Sequence, residues 1–129
     1  MLNHITLKVN DFKRSRKFFT AALKPLGYSL LVKFKRRAGF GIEDIEGKRD
    51  FWIVARPNEK LSPSLTCIAF TASSKKIVND FYRAALKAGG KTNGAPAYVK
   101  EYHRGYYAAY VLDPDGNNIE AVFDDFSKL

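Results

Sequence analysis

The stretch FFTAALKPLG (residues 18–27) decides the fold, because it occurs again as FYRAALKAGG (81–90). The two share F-x-x-A-A-L-K-x-x-G at an offset of 63 residues, from 18 to 81. At that offset Ile5 falls on Ile68 and Leu7 on Phe70, so the segments ahead of the two stretches also correspond, without a gap. A unit of about half the chain has been duplicated once, which is a paired module and not a solenoid array.

Each unit reads strand first, then helix. In HITLKV (4–9), Ile5, Leu7 and Val9 face one way and His4, Thr6 and Lys8 the other. Asp11 is placed to cap the helix that follows, Phe12, Phe19, Leu23 and Leu26 recur at helical spacing, and Pro25 and Gly27 end it. In the second unit Ser73 or Ser74 caps, Ile77, Phe81, Ala85 and Ala88 form the apolar stripe, and Gly89–Gly90 stops the helix. Three short strand candidates follow each helix. They are YSLLVKF (28–34), AGFGIED (38–44) and DFWIVAR (50–56), then a weak segment near Lys91–Thr92, GYYAAYVLD (105–113) and NNIEAVF (117–123). The expected fold is α+β, two βαβββ modules whose helices lie outside and whose inner faces form a cup-like or barrel-like mixed sheet. Module one spans 1–57, NEKLSPS (58–64) is the linker, and module two spans 65–129.

A chain of 129 residues with 46% hydrophobic residues builds one domain with a real core and shows no sign of disorder. No apolar run approaches the ~18 residues of a membrane span. MLNHITLKVND lacks the basic-then-apolar layout of a signal peptide, and the single Cys67 has no internal disulfide partner. Both point to a cytoplasmic protein. The net charge of +9 comes from scattered Lys and Arg that no nucleic-acid motif organises, so a nucleic-acid partner is not expected. The charge suits an anionic small molecule or a solvated surface, and KRSRK and KFKRR read as solvated faces.

The opening strand with His4, the helix FFTAALKPLGY and the closing DPDGNNIEAVF together resemble the vicinal oxygen chelate superfamily, over essentially the whole chain. That superfamily includes glyoxalase I, extradiol dioxygenases, fosfomycin-resistance enzymes and bleomycin-binding proteins. The resemblance implies the paired βαβββ fold, with metal ligands on the first strand of each module and on the last strands, pointing into the cup. Glu120 lies where relatives place a metal-binding carboxylate. Strand periodicity sets it apart from Ile119, Ala121 and Phe123, which suit the helix-covered side. His4 turns inward by the same argument.

The offset carries His4 onto Cys67, where many relatives have a second His. Cys67 reads either as a thiolate ligand or as a small buried hydrophobe. Glyoxalase I has a further acid on the last strand of the first module. Here DFWIVAR offers Trp52, Ile53 or Val54 and no acid. The sequence therefore departs from the glyoxalase I pattern at two of four ligand positions. The resemblance also suggests that His103, in EYHRGYY, overhangs the cup as an acid–base group; otherwise it is a surface loop histidine. Trp52, Tyr106, Tyr107 and Tyr110 are candidates to line a pocket, with Tyr106 and Tyr110 on one face and Tyr107 on the other.

Two functions follow. One is an enzyme with lyase, isomerase or dioxygenase chemistry, holding Zn, Ni, Mn or Fe through His4, Cys67 and Glu120, with His103 or a tyrosine moving the proton. The other is a metal-free protein that binds a small molecule in an aromatic cup, as bleomycin-binding relatives do. A homodimer is expected, because a small cup of half-exposed strands leaves edges to cover.

Overall fold

Asp11 and Ser74 start the two helices as the sequence implies. The Asp11 carboxylate accepts the Arg14 N–H at 3.0 Å, and the Ser74 hydroxyl accepts that of Ile77 at 3.2 Å. These are strand-conformation caps that satisfy amides otherwise left without partners at a helix start. The computed structural model describes residues 1–43, 47–56, 58, 61–62 and 67–129. Most of the expected linker 58–64 lies outside the described residues.

In module one, β1 (Ile5–Val9) leads into α1 (Phe12–Ala22), a 3-10 turn (Lys24–Leu26) and three strands, β2 (Tyr28–Lys33), β3 (Arg37–Ile42) and β4 (Phe51–Ala55). Module two repeats this with β5 (Cys67–Thr71), α2 (Lys75–Lys87), β6 (Lys91–Tyr98), β7 (Tyr106–Leu112) and β8 (Asn118–Asp124). The sheets have the same order, β1-β4-β3-β2 and β5-β8-β7-β6, with the first strand parallel to the last in each. The fold is α+β, and its two sheets are separate four-stranded sheets, not a closed barrel.

One departure from the sequence reading is β6, a full eight-residue strand where only a weak segment was expected. Gly94 and Pro96 mask its strand character. Pro96 is tolerated because β6 is a sheet edge, where a missing N–H need break no ladder.

One side of each sheet carries its helix. Phe18, Phe19, Phe40, Phe51 and Phe81 are fully buried there. The core runs through both modules, since Phe51 and Tyr28 of module one each meet Phe70 of module two edge-on at 5.3 Å. A polar strap adds to this junction. Asp115, in the β7–β8 turn, accepts from the Asn10 amide and side chain at 3.1 Å and pairs with Arg14 at 2.6 Å. The turn itself is held by buried Asp113, which accepts the N–H groups of Asp115 and Asn117 at 3.0 and 2.8 Å. Burial pushes the Asp113 carboxyl above the usual range, against those hydrogen bonds. Gly116 takes the left-handed conformation the turn requires, with φ of 88°. No helix among the described residues is long and apolar enough to cross a membrane.

Candidate functional site

The chemistry gathers on the sheet faces turned away from the helices. Strand register shows which residues correspond across the duplication. Thr6 pairs with Trp52 in module one, and Ala69 pairs with Glu120 in module two. Trp52 therefore stands at the position of Glu120. The neighbour on the next strand is Gly39 for Trp52 and Tyr110 for Glu120.

In module two, Glu120 is 5% exposed and is held from both sides. The Tyr106 hydroxyl donates to Oε1 at 2.5 Å, and the Cys67 thiol approaches Oε2 at 3.5 Å. Asn118 donates to the Cys67 Sγ at 3.1 Å, and Asn93 donates to Asn118 at 3.1 Å. Burial, then the hydrogen bond and charge of Glu120, pushes the Tyr106 hydroxyl well above its ordinary value. Tyr110 is pushed up to about 12 by burial and then by the Glu120 charge. The Cys67 thiol is also raised, by burial first and Glu120 second, so it is not activated as a nucleophile.

Cys67 opens an edge strand and is exposed, which corrects its reading as a small buried hydrophobe. It borders a cavity of about 790 Å³ between β1 and β5, with Thr6, Lys8 and Ala69. Neither Trp52 nor a tyrosine lines that cavity. Tyr107 also needs correction as a pocket residue. It faces α2, where its hydroxyl donates to Asn79 at 2.8 Å and its ring meets Tyr98 edge-on. Alternation along β7 places it opposite Tyr106.

His103 lies in the loop before β7. Its Nδ1 accepts the Gly105 N–H at 3.1 Å, so the proton of the neutral ring sits on Nε2, which donates to Asp124 at 2.8 Å. The ring packs edge-on against Tyr106 at 5.5 Å. His103, Tyr106, Glu120 and Cys67 thus form one connected row.

His4 belongs elsewhere. Its Nδ1 meets the Asn3 side chain at 2.8 Å, and it borders a cavity of about 420 Å³ with Arg37, Lys48, Arg49 and Trp52. Among the described residues, no three His, Cys, Asp or Glu side chains are placed to hold a metal ion. This corrects the expected His4, Cys67, Glu120 ligand set. Cys67 and Glu120 come together on the second sheet, while His4 lies just ahead of β1, and Trp52 fills the place of a further acid. The donor set does not fit a resident metal.

The sequence reading missed the cations around Trp52: Arg37 sits in KFKRR, which looks like a solvated run, and nothing in the spacing of Lys48 and Arg49 ties them to Trp52. A usable signal was Gly39, the small residue that leaves room for an indole beside it. Asp124, the partner of His103, was also missed.

The paired βαβββ fold places the chain in a class of α+β proteins built from two such modules. The Glyoxalase/Bleomycin resistance protein/Dioxygenase superfamily profile matches residues 1–121, and the chain belongs to that superfamily. It is 26% identical over 126 residues to YqjT, an uncharacterized protein of Bacillus subtilis (strain 168), covering 94% of this chain and 97% of that protein. The crystal structure of a glyoxalase/bleomycin resistance protein from Albidiferax ferrireducens T118 matches with a TM-score of 0.80 at 29% identity, over 95% of this chain and 98% of that one. A glyoxalase/bleomycin resistance protein/dioxygenase family enzyme from Burkholderia phytofirmans PsJN matches with a TM-score of 0.73 over 96% and 98% of the two chains. At 18% identity this second likeness concerns the fold alone.

Proposed function

We propose that this chain is a small-molecule-binding member of the superfamily that works without a resident metal, with the open face of module two as its binding surface. One observation carries this reading. Both carboxylate oxygens of Glu120 are taken by protein donors, Tyr106 and Cys67, and the position equivalent to Glu120 holds Trp52. Beside Glu120 the phenol oxygens of Tyr106 and Tyr110 can still accept, which suits a flat ligand with adjacent hydroxyls. Catechol is a direct probe. Chelator-treated protein should show a melting temperature that rises saturably with catechol, and the rise should vanish in Glu120→Gln and Tyr106→Phe. A rise that appears only when a divalent metal is added would overturn the reading.

The row from His103 to Glu120 favours a second reading, an enzyme that moves a proton next to a carbonyl. Glu120 would be the base, and the Tyr106 hydroxyl would stabilise the oxyanion. Solvent deuterium entering dihydroxyacetone, followed by proton NMR, tests it. Exchange no faster than in Glu120→Gln would sink it.

A further inference from the structure

We propose a second binding site, on the open face of module one, for a planar aromatic carboxylate. It goes beyond the function proposed above, because none of its residues belongs to the row around Glu120.

Arg37, Lys48, Arg49, His4 and Trp52 border the cavity of about 420 Å³, and among the described residues no carboxylate borders it with them. Pockets for small ligands run from about 300 to 1,000 Å³, so the space suits a single ring and its substituent. None of Arg37, Lys48 and Arg49 forms an ion pair among the described residues, whereas Arg14, Lys76 and Arg83 elsewhere all do. Three permanent positive charges around one concavity give a field that an anion would complete.

The aromatic wall is held in place. The Trp52 indole lies across Gly39, where a Cβ would come within 3.0 Å of three of its ring carbons. Its Nε1–H is already donated to the Arg49 carbonyl at 3.0 Å. The indole therefore has only its ring surface left to offer, which selects a flat partner over one that needs a hydrogen bond from it. The Arg37 guanidinium stands 5.6 Å from the Trp52 ring and 4.7 Å from that of Phe34. Attraction to a ring face leaves the guanidinium N–H groups without acceptors from the ring, and their fork matches a carboxylate with two parallel hydrogen bonds. Ring recognition and charge recognition thus lie side by side in one cavity.

Trp52 is the single tryptophan of the chain, so its fluorescence reports on this site without a label. Benzoate is the probe, with benzamide as its neutral counterpart, cyclohexanecarboxylate as its non-planar one and inorganic phosphate as an anion without a ring. Benzoate should quench Trp52 saturably, and the other three should bind about tenfold more weakly. Arg37→Gln should weaken benzoate by a similar factor, and Arg37→Lys should recover only part of the loss, because it keeps the charge without the fork. Circular dichroism confirms that each variant is folded. Arg49→Gln serves as a second variant if Arg37→Gln fails to fold. Benzamide equal to benzoate, phosphate equal to benzoate, or benzoate binding unmoved in both glutamine variants would each overturn the proposal.

Discussion

The two modules share one scaffold and differ on the face that meets a ligand. Module one places Trp52 beside Gly39, with Arg37, Lys48 and Arg49 around the cavity that Trp52 borders. Module two places Glu120 beside Tyr110, with a thiol and a second tyrosine holding the carboxylate. On the helix side the copies stay alike: Phe18 and Phe81, 63 residues apart, are both fully buried. The difference teaches that packing constrained the duplicated core in common, while the open faces were free to become a cationic aromatic surface and an anionic phenolic one. A metal site drawing on both copies would need them to stay complementary, and Cys67 and Trp52 stand where that complementarity is lost.

The comparison breaks most visibly in the core. Phe18→Ala and Phe81→Ala should each cost about 3–5 kcal/mol in denaturant unfolding, because both empty a fully buried site. A large cost for one and a negligible cost for the other would show that the modules do not share the core equally. Next comes the face of module two. Tyr106→Phe removes a donor from buried Glu120 and should cost about 1–3 kcal/mol, read from the shift in the unfolding midpoint. A smaller effect is expected from Ser15, which breaks the symmetry of the core. It corresponds to fully buried Val78, yet its hydroxyl has no hydrogen-bond partner among the described residues. Ser15→Ala should therefore stabilise the protein by about 1 kcal/mol.

Alkaline titration sharpens the contrast further. Tyr106 and Tyr110 hold their protons more tightly folded than unfolded, so their contribution to stability is complete below the ordinary phenol value of 10.0. It is lost as pH rises through about 12 for Tyr110. Phenolate absorbance should show a late-ionising pair that titrates earlier in Glu120→Gln, and an unchanged profile in that variant would refute the coupling.

The duplication, both helix caps and five of the six later strands were legible because each rests on local spacing. The eighth strand's inward residue was legible too, since Glu120 sits between apolar neighbours of the opposite face. The equivalent in module one was not. DFWIVAR offers three adjacent apolar residues, and only the pairing of Thr6 with Trp52 selects one. β6 was hidden because Gly94 and Pro96 read as breakers until the strand is known to be an edge. Periodicity also assigns a residue to a face without giving distances between sheets. That is why His4 seemed to join Cys67 and Glu120 in one ligand set.

Calorimetric titration of Ni²⁺ or Zn²⁺ into chelator-treated, untagged protein tests the central claim most directly, because both ions suit imidazole and thiolate donors. The account expects no stoichiometric binding and a melting temperature that stays level as metal is added. One equivalent bound with a rising melting temperature, both abolished in Glu120→Gln and in His4→Ala, would contradict it.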